Sequence, residues 1–272
     1  MIIMSEPDVQ SLSGGCIAQV ERLRWPDGRS LVRKTYHSAV MAQAEAAALA
    51  KLAELAEQGA PPVPQVLTCN GGVLELCDLG RGNPSAQAWQ NFASQLAALH
   101  RCRGPAFGFE RTTFCGATAQ PNAWNPDGFV FVAEQRLCDL AARCRKAGVI
   151  ARAPQLDIEH IAQRLSQLVP AQDPVLLHGD LWSGNVHRAA DGQLYLIDPA
   201  CWYGWAESDL ALAELFGGFP QEFWQAYTQH TDIAAGWQQR LGLHQIWHLL
   251  NHALLFGGHY AQQAGQAARP WL

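Results

Sequence analysis

At 272 residues and 49% hydrophobic content, the chain is long enough to bury a large core and fits one large domain or two lobes. Charged residues make up 16% of it and the net charge is -5 with Lys and Arg totalling 19, which argues against a broad phosphate-backbone footprint and so against nucleic acid as a partner. No apolar stretch approaches the length of a membrane span, Met1-Ile2-Ile3-Met4 is too short for a signal peptide, and the eight cysteines include no CxxC pair; reduced thiols and a cytoplasmic location are expected.

Residues from about 12 to 25 read as a strand, a glycine turn and a second strand, with Ser13-Gly14-Gly15-Cys16 at the turn; Pro26-Asp27-Gly28 closes the next hairpin. Gly14 and Gly15 let backbone amides approach an anion closely, as in a loop that covers phosphates. The same amides would favour a thiolate at Cys16, opening a redox hypothesis beside the plainer reading of a small residue in a tight turn. In Leu31-Val32-Arg33-Lys34-Thr35-Tyr36, alternation puts Val32 and Lys34 on one face and Arg33 on the other. A lysine on an inner face needs an anion. The Ala-rich helix from about 39 to 57, with Ser38 as N-cap and Gly59 as stop, offers Glu45 to hold it.

Pro61-Pro62-Val63-Pro64 breaks that helix, and residues 65 to 79 form a hairpin turned at Asn70-Gly71-Gly72. Arg81-Gly82-Asn83-Pro84 divides a unit 1–79 from a unit 80–272, with Asn83 as N-cap and Pro84 as first residue of a helix to His100. The long Gly-, Pro-, Thr- and Asn-rich loop from 104 to 127 suits substrate access. Helices follow over about 129–146 and 157–169.

Val175-Leu176-Leu177 ends in His178-Gly179-Asp180, a short buried strand that delivers a carboxylate to a loop, and Asn185 follows after four intervening residues. A second strand ends in Asp198, and the Asp191-Gly192 pair between the strands is a hairpin signal that brings Asp198 back beside Asp180 and Asn185. This is the order of parts in a kinase catalytic loop, where the Asp orients the attacking hydroxyl and the Asn and second Asp turn to a metal ion. Magnesium suits such hard oxygen ligands. Lys34 would then meet the phosphates of ATP, and backbone groups near Glu75 and Cys77 would meet the adenine edge. The expected fold is α+β and bilobal, protein-kinase-like, with a small N-lobe antiparallel sheet plus helix and a larger, mainly helical C-lobe.

About eight residues separate Asp198 from the next helix, far fewer than the regulated segment of a eukaryotic protein kinase, so control by loop phosphorylation is not expected. Asp209 reads as a structural cap for the catalytic-loop amides. His244, His248 and His252 share one helix face; without the HExxH acid they read as a polar, partly aromatic wall beside the substrate cleft rather than as a zinc site.

Three stretches carry a family resemblance: Leu12-Ser13-Gly14-Gly15-Cys16-Ile17, His178-Gly179-Asp180-Leu181-Trp182-Ser183-Gly184-Asn185, and Tyr203-Gly204-Trp205-Ala206-Glu207-Ser208-Asp209-Leu210-Ala211 running on to Gly217-Gly218-Phe219. With Asn251-His252 and Leu255-Phe256-Gly257-Gly258, they resemble the fructosamine kinase (ketosamine-3-kinase) family, relatives of aminoglycoside phosphotransferases. The resemblance implies ATP- and Mg2+-dependent phosphorylation of a sugar hydroxyl on a ketoamine, the rearranged adduct of a sugar with a small amine or a protein lysine. It implies Lys34 and Glu45 as the phosphate-binding ion pair, Asp180 as base, and Asn185 and Asp198 as magnesium ligands. Trp182 would lie by the sugar, with His178 and Glu207 on the substrate side. A monomer or weak homodimer is expected. Asp127-Gly128-Phe129, where the family has a tryptophan after the aspartate, and Arg33 ahead of the lysine depart from the pattern, and they touch substrate fit more than catalysis. The alternatives are a phosphotransferase for an aminoglycoside, choline or homoserine, and a nucleotide-binding pseudokinase, which the presence of Lys34, Asp180, Asn185 and Asp198 disfavours.

Overall fold

A computed structural model describes residues 6–12 and 17–272. The turn bearing Gly14, Gly15 and Cys16, with the phosphate-loop and redox expectations placed on it, lies outside the described residues. The strands that flank it, β1 (Asp8–Ser11) and β2 (Ala18–Arg24), pair antiparallel, and the first begins earlier than the sequence reading places it. With β3 (Ser30–Tyr36), β4 (Val66–Asn70) and β5 (Val73–Cys77) they form one sheet in the order β1-β2-β3-β5-β4. Helix α1 (Ala39–Ala56), whose Ser38 cap accepts the Val40 N–H at 3.3 Å, packs its Ala42, Ala44, Glu45 and Leu49 side against that sheet. Alternation along β3 sorts the charges as expected: Lys34 is buried under α1, and Arg33 lies on the far face against Glu75 at 2.7 Å.

Helix α2 (Ala86–Leu99) starts two residues later than Pro84, because the Ser85 hydroxyl rather than Asn83 accepts from the first turn, at the Ala88 N–H. The loop after it contains a small hairpin, β6 (Thr113–Cys115) and β7 (Thr118–Gln120). The following helix is α3 (Gly128–Val132) and α4 (Asp139–Lys146) joined by a wider π turn over Ala133–Cys138. That turn carries Arg136 into the interior, 4.2 Å from the Trp202 ring, where it donates to Asn122 Oδ1 at 2.6 Å and to the Pro121 carbonyl. Helix α5 (Arg152–Gln163) begins before the expected Asp157 and is followed by the short α6 (Leu165–Leu168).

Two strand pairs then frame the loop that carries Asp180 and Asn185: β8 (Val175–Leu177) with β11 (Trp202–Gly204), and β9 (Val186–Arg188) with β10 (Leu194–Leu196). Helices α7 (Glu207–Phe216), α8 (Gln221–His230), α9 (Trp237–Phe256) and α10 (Gly258–Ala268) close the larger lobe over an aromatic core that includes Trp202, Trp205, Trp247, Phe223 and Tyr227. The seven described cysteines are free thiols, and among the described residues no helix is long and apolar enough to cross a membrane.

The substrate-side expectation for Glu207 is corrected here. Its side chain is fully buried in the first turn of α7 and points across the core to α9, where Arg240 Nη2 lies 2.5 Å and His244 Nε2 2.7 Å from its oxygens. The histidine wall is corrected in the same way. A helix face as long as that of α9 runs from the core to the cleft, so His244 serves Glu207, the His248 Nε2 meets the Ser208 carbonyl, and only His252 lines the cleft.

Two stability measurements follow. Phe223 is wholly buried between Phe92, Phe219 and Tyr227, and Phe223→Ala is expected to cost about 3–5 kcal/mol in urea unfolding; a cost under about 1 kcal/mol would contradict this packing. Burial pushes the Glu207 carboxyl up, but hydrogen bonds from His244 and Arg240 outweigh it and hold it below its ordinary 4.5. A depressed folded value gives stability that is complete above pH 4.5 and lost as the pH falls through the lower value. Glu207→Gln, which leaves Arg240 and His244 facing a neutral amide, is therefore expected to destabilise by about 3–5 kcal/mol near neutrality. Its deficit against wild type should shrink in acid, and a deficit independent of pH would contradict the ion pairing.

Candidate active site

The site grows from the end of β8, whose three residues are buried and fix where the next loop starts. Gly179 turns there with φ 80°, and a Cβ on it would stand 2.1 Å from the Ala200 carbonyl oxygen, so the turn admits only glycine. The His178 and Gly179 N–H groups donate to Asp209 at 2.7 and 2.8 Å, and Asp209 also faces His100 Nε2 at 3.2 Å. Burial pushes the Asp209 carboxyl up, yet His100, His178 and the amides outweigh it and leave it below its ordinary value. Asp209 thus holds the loop from behind, as the sequence reading had it.

His178 is corrected: it is buried and does not line the cleft. Its Nε2 meets the Ile197 carbonyl at 2.9 Å, and its Nδ1 accepts from the Asp180 N–H at 3.3 Å. The ring is a strut between the segments that carry Asp180 and Asp198. Asn185 Nδ2 donates to the Asp180 carbonyl at 2.9 Å and to Asp180 Oδ2 at 3.2 Å. Burial first, and the Asp198 carboxylate after it, push Asp180 up to about 7.

Asp198 is the one non-glycine residue among those described with a positive φ, 56°. Such backbone is sparsely populated by L-residues and persists where its surroundings over-determine it. Here it turns the carboxylate toward the smaller lobe, where Lys34 Nζ donates to it and, at 2.6 Å, to Glu45 Oε1. Tyr36 donates to the other Glu45 oxygen. Burial pushes the Lys34 ammonium down, but Asp198 and Glu45 outweigh it and hold the lysine charged.

Two cavities meet at this cluster. The larger, about 720 Å³, runs under the sheet past Val20, Val32 and Leu76 to Leu79; the smaller, about 380 Å³, is walled by Thr113, Phe216, His252 and Tyr260. Lys34, Trp182, Asn185 and Asp198 line both, whereas Asp180 opens on the smaller alone. Trp182 is 39% exposed, its indole lying over Gly184, where a Cβ would come within 2.2 Å of the ring.

The adenine-edge expectation is corrected for Glu75. It lies in β5 between β3 and β4, so the sheet ladder engages its backbone on both sides, and its side chain is on the far face with Arg33 and Thr68. Cys77 lines the larger cavity, though its N–H donates to the Gln65 carbonyl. The chain passing the cavity is Leu76 to Leu79, where Asp78 is tied to Arg22 at 2.8 Å. Sequence reasoning missed Tyr36, which alternation from Lys34 could have found, and Thr113, Cys115, Phe216 and Tyr260, whose arrival at the cleft is decided by tertiary packing. Asn251 stands out in the sequence only as part of a family motif, whereas His252 is expected beside the substrate cleft and does line the smaller cavity.

The fructosamine kinase family model matches residues 4–272. The probable ketoamine kinase of Synechocystis sp. is 39% identical over 272 residues, covering 97% of this chain and 90% of that one. Among solved structures, a Thermobifida fusca protein assigned as a fructosamine-3-kinase superposes with a TM-score of 0.87 at 29% identity, covering 97% of this chain and 92% of its own. A macrolide 2'-phosphotransferase at TM-score 0.61 and 17% identity, over 97% of this chain and 90% of its own, shares the fold alone, which is the α+β, bilobal, protein-kinase-like one. With that match over nearly its whole length, the chain belongs to the fructosamine kinase family and is a small-molecule kinase, a phosphotransferase that acts on a hydroxyl.

Proposed function

We propose that the larger cavity takes ATP, that the smaller takes the sugar part of a ketoamine, and that phosphoryl transfer occurs where they join. The observation that carries this reading is the sharing of Lys34, Asn185 and Asp198 between the two cavities, with Asp180 facing only the smaller. A nucleotide lying under the sheet would pass its phosphates to the Lys34 ammonium, which Glu45 keeps oriented. Its base would meet the backbone from Cys77 to Leu79. Asp180 would align the acceptor hydroxyl and receive its proton as the acceptor oxygen bonds to the γ-phosphorus and the bond to the β-bridging oxygen breaks, releasing ADP.

Asn185 spends its Nδ2 on Asp180, which leaves its amide oxygen, together with the Asp198 carboxylate, as a hard-oxygen pair that suits Mg2+. When bound, that ion neutralises charge on the phosphate oxygens. Trp182 offers an aromatic face for the C–H surface of a sugar and for the cation of its amine. In this reading residues 1–79 form the nucleotide-binding lobe and 80–272 the catalytic and acceptor lobe. Seven free thiols and the use of ATP suit a cytoplasmic location.

Asp180→Asn is expected to lower kcat by about 10²–10⁴-fold in a coupled ADP-release assay while leaving ATP-analogue binding in place. Unchanged turnover would remove Asp180 from the mechanism. Because the base acts deprotonated and Asp180 stands near 7 in the free protein, kcat/KM should rise with pH through a limb close to neutrality; a profile flat from pH 5 to 8 would contradict that assignment. A panel of fructosyl-lysine, ribulosyl-lysine, an aminoglycoside and choline, with NMR location of the phosphate, tests the acceptor. Turnover confined to the last two would overturn the ketoamine assignment.

A further inference from the structure

Cys115, in the β6–β7 hairpin, has its thiol buried against the catalytic loop, with Sγ 3.4 Å from Asp180 Oδ1. On its other side Asn251 of α9, wholly buried, donates from Nδ2 to the same sulfur at 3.1 Å and to the Cys115 carbonyl at 3.3 Å. The directions are consistent: sulfur accepts from Asn251, so its single S–H is left to donate to Asp180. Asn185 Nδ2 already donates to the other carboxylate oxygen, Oδ2.

We propose that Cys115, itself oriented by Asn251, is a positioning residue for phosphoryl transfer, clamping the Asp180 carboxylate from the acceptor side so that its plane is fixed between a thiol donor and the Asn185 amide. The inference rests on Asp180 acting as proposed above. Two donors on opposite oxygens remove the rotation about the Cβ–Cγ bond that would otherwise spread the carboxylate over many orientations, and misplacement by about 1 Å can cost about 100-fold in rate. The thiol hydrogen bond also lowers the Asp180 carboxyl, against the burial that raises it. Burial, with the Asp180 charge beside it, pushes the Cys115 thiol well up, which keeps the donor proton on sulfur. Asn251 supports the hairpin from α9, the helix that also brings His252 to the smaller cavity.

The test compares Cys115→Ala, Cys115→Val and Cys115→Ser with wild type in the full chain. Loss of the donor in the Ala and Val variants is expected to lower kcat about 10- to 100-fold with the KM for ATP unchanged, and the Ser hydroxyl to restore most of it. Ser as impaired as Ala, or Val as active as wild type, would overturn the clamp. A second readout is independent of turnover. The S–H stretching band lost in Cys115→Ser should move to higher frequency in Asp180→Asn, where a neutral amide replaces the charged acceptor. A band that stays in place would also overturn it. The two levels of the account separate cleanly, since an active Asp180→Asn variant removes the base, whereas an inactive one beside indifferent Cys115 variants removes only the clamp.

Discussion

One ammonium group shared by two carboxylates from different halves of the molecule sets the geometry of the cleft. Lys34 reaches Glu45 on α1 within the smaller lobe and Asp198, which follows β10 in the larger. A buried lysine carries a desolvation cost of several kcal/mol and persists only where opposite charge compensates it. The compensation here joins the lobes across the cleft. On the reading proposed above, the phosphates of a nucleotide and a magnesium ion would take up these charges in turn, with Lys34 moving its allegiance toward phosphate and Asp198 toward the metal. The ion pair would therefore hold the site in shape before the nucleotide arrives.

Behind the cleft, the loop that carries Asp180 and Asn185 is held by groups that line neither cavity. Asp209 accepts two backbone amides, His178 ties the Asp180 and Ile197 backbones together, and Gly179 permits the approach of Ala200. Glu207, in the same first turn of α7, anchors that helix to α9 through Arg240 and His244. The consequence is that Asp180 and Asn185 stand on a loop whose backbone has little freedom, which positioning catalysis requires. The buried Arg136 performs a similar service for the 113–122 segment, since its guanidinium fixes Asn122, and Asn122 in turn donates to Thr113 Oγ1.

Local signals made much of this legible. The Asp-Gly turn at 191–192, the five-residue step from Asp180 to Asn185 and the alternation at Lys34 are short-range patterns, and each led to the position the structure gives it. Glu45 is legible from order along the chain, since it lies on the helix that follows the lysine-bearing strand. The misplacements of Glu207 and His178 share one cause, which is burial decided by partners elsewhere in the fold. Glu207 and His178 are motif residues, and a motif does not reveal whether a side chain faces solvent or core. Both turned out to be held by residues far along the chain, Arg240 and His244 in one case and Ile197 in the other. Glu75 failed for a different reason, because the order β3-β5-β4 makes its strand interior and commits its backbone to the ladder. Cys115 and Thr113 carry no local mark at all; a hairpin within a long loop delivers Cys115 to Asp180 and Thr113 to the wall of the smaller cavity.

The central claim is that Lys34, Asn185 and Asp198 together hold a magnesium nucleotide, and calorimetric titration with a non-hydrolysable ATP analogue tests it most directly. Wild type should bind the analogue more tightly with Mg2+ than without, and Lys34→Met should weaken the Mg2+-dependent binding by about 10- to 100-fold, the worth of one charge-assisted contact. Equal affinity with and without Mg2+, or a Lys34→Met protein that binds as wild type does, would contradict the account.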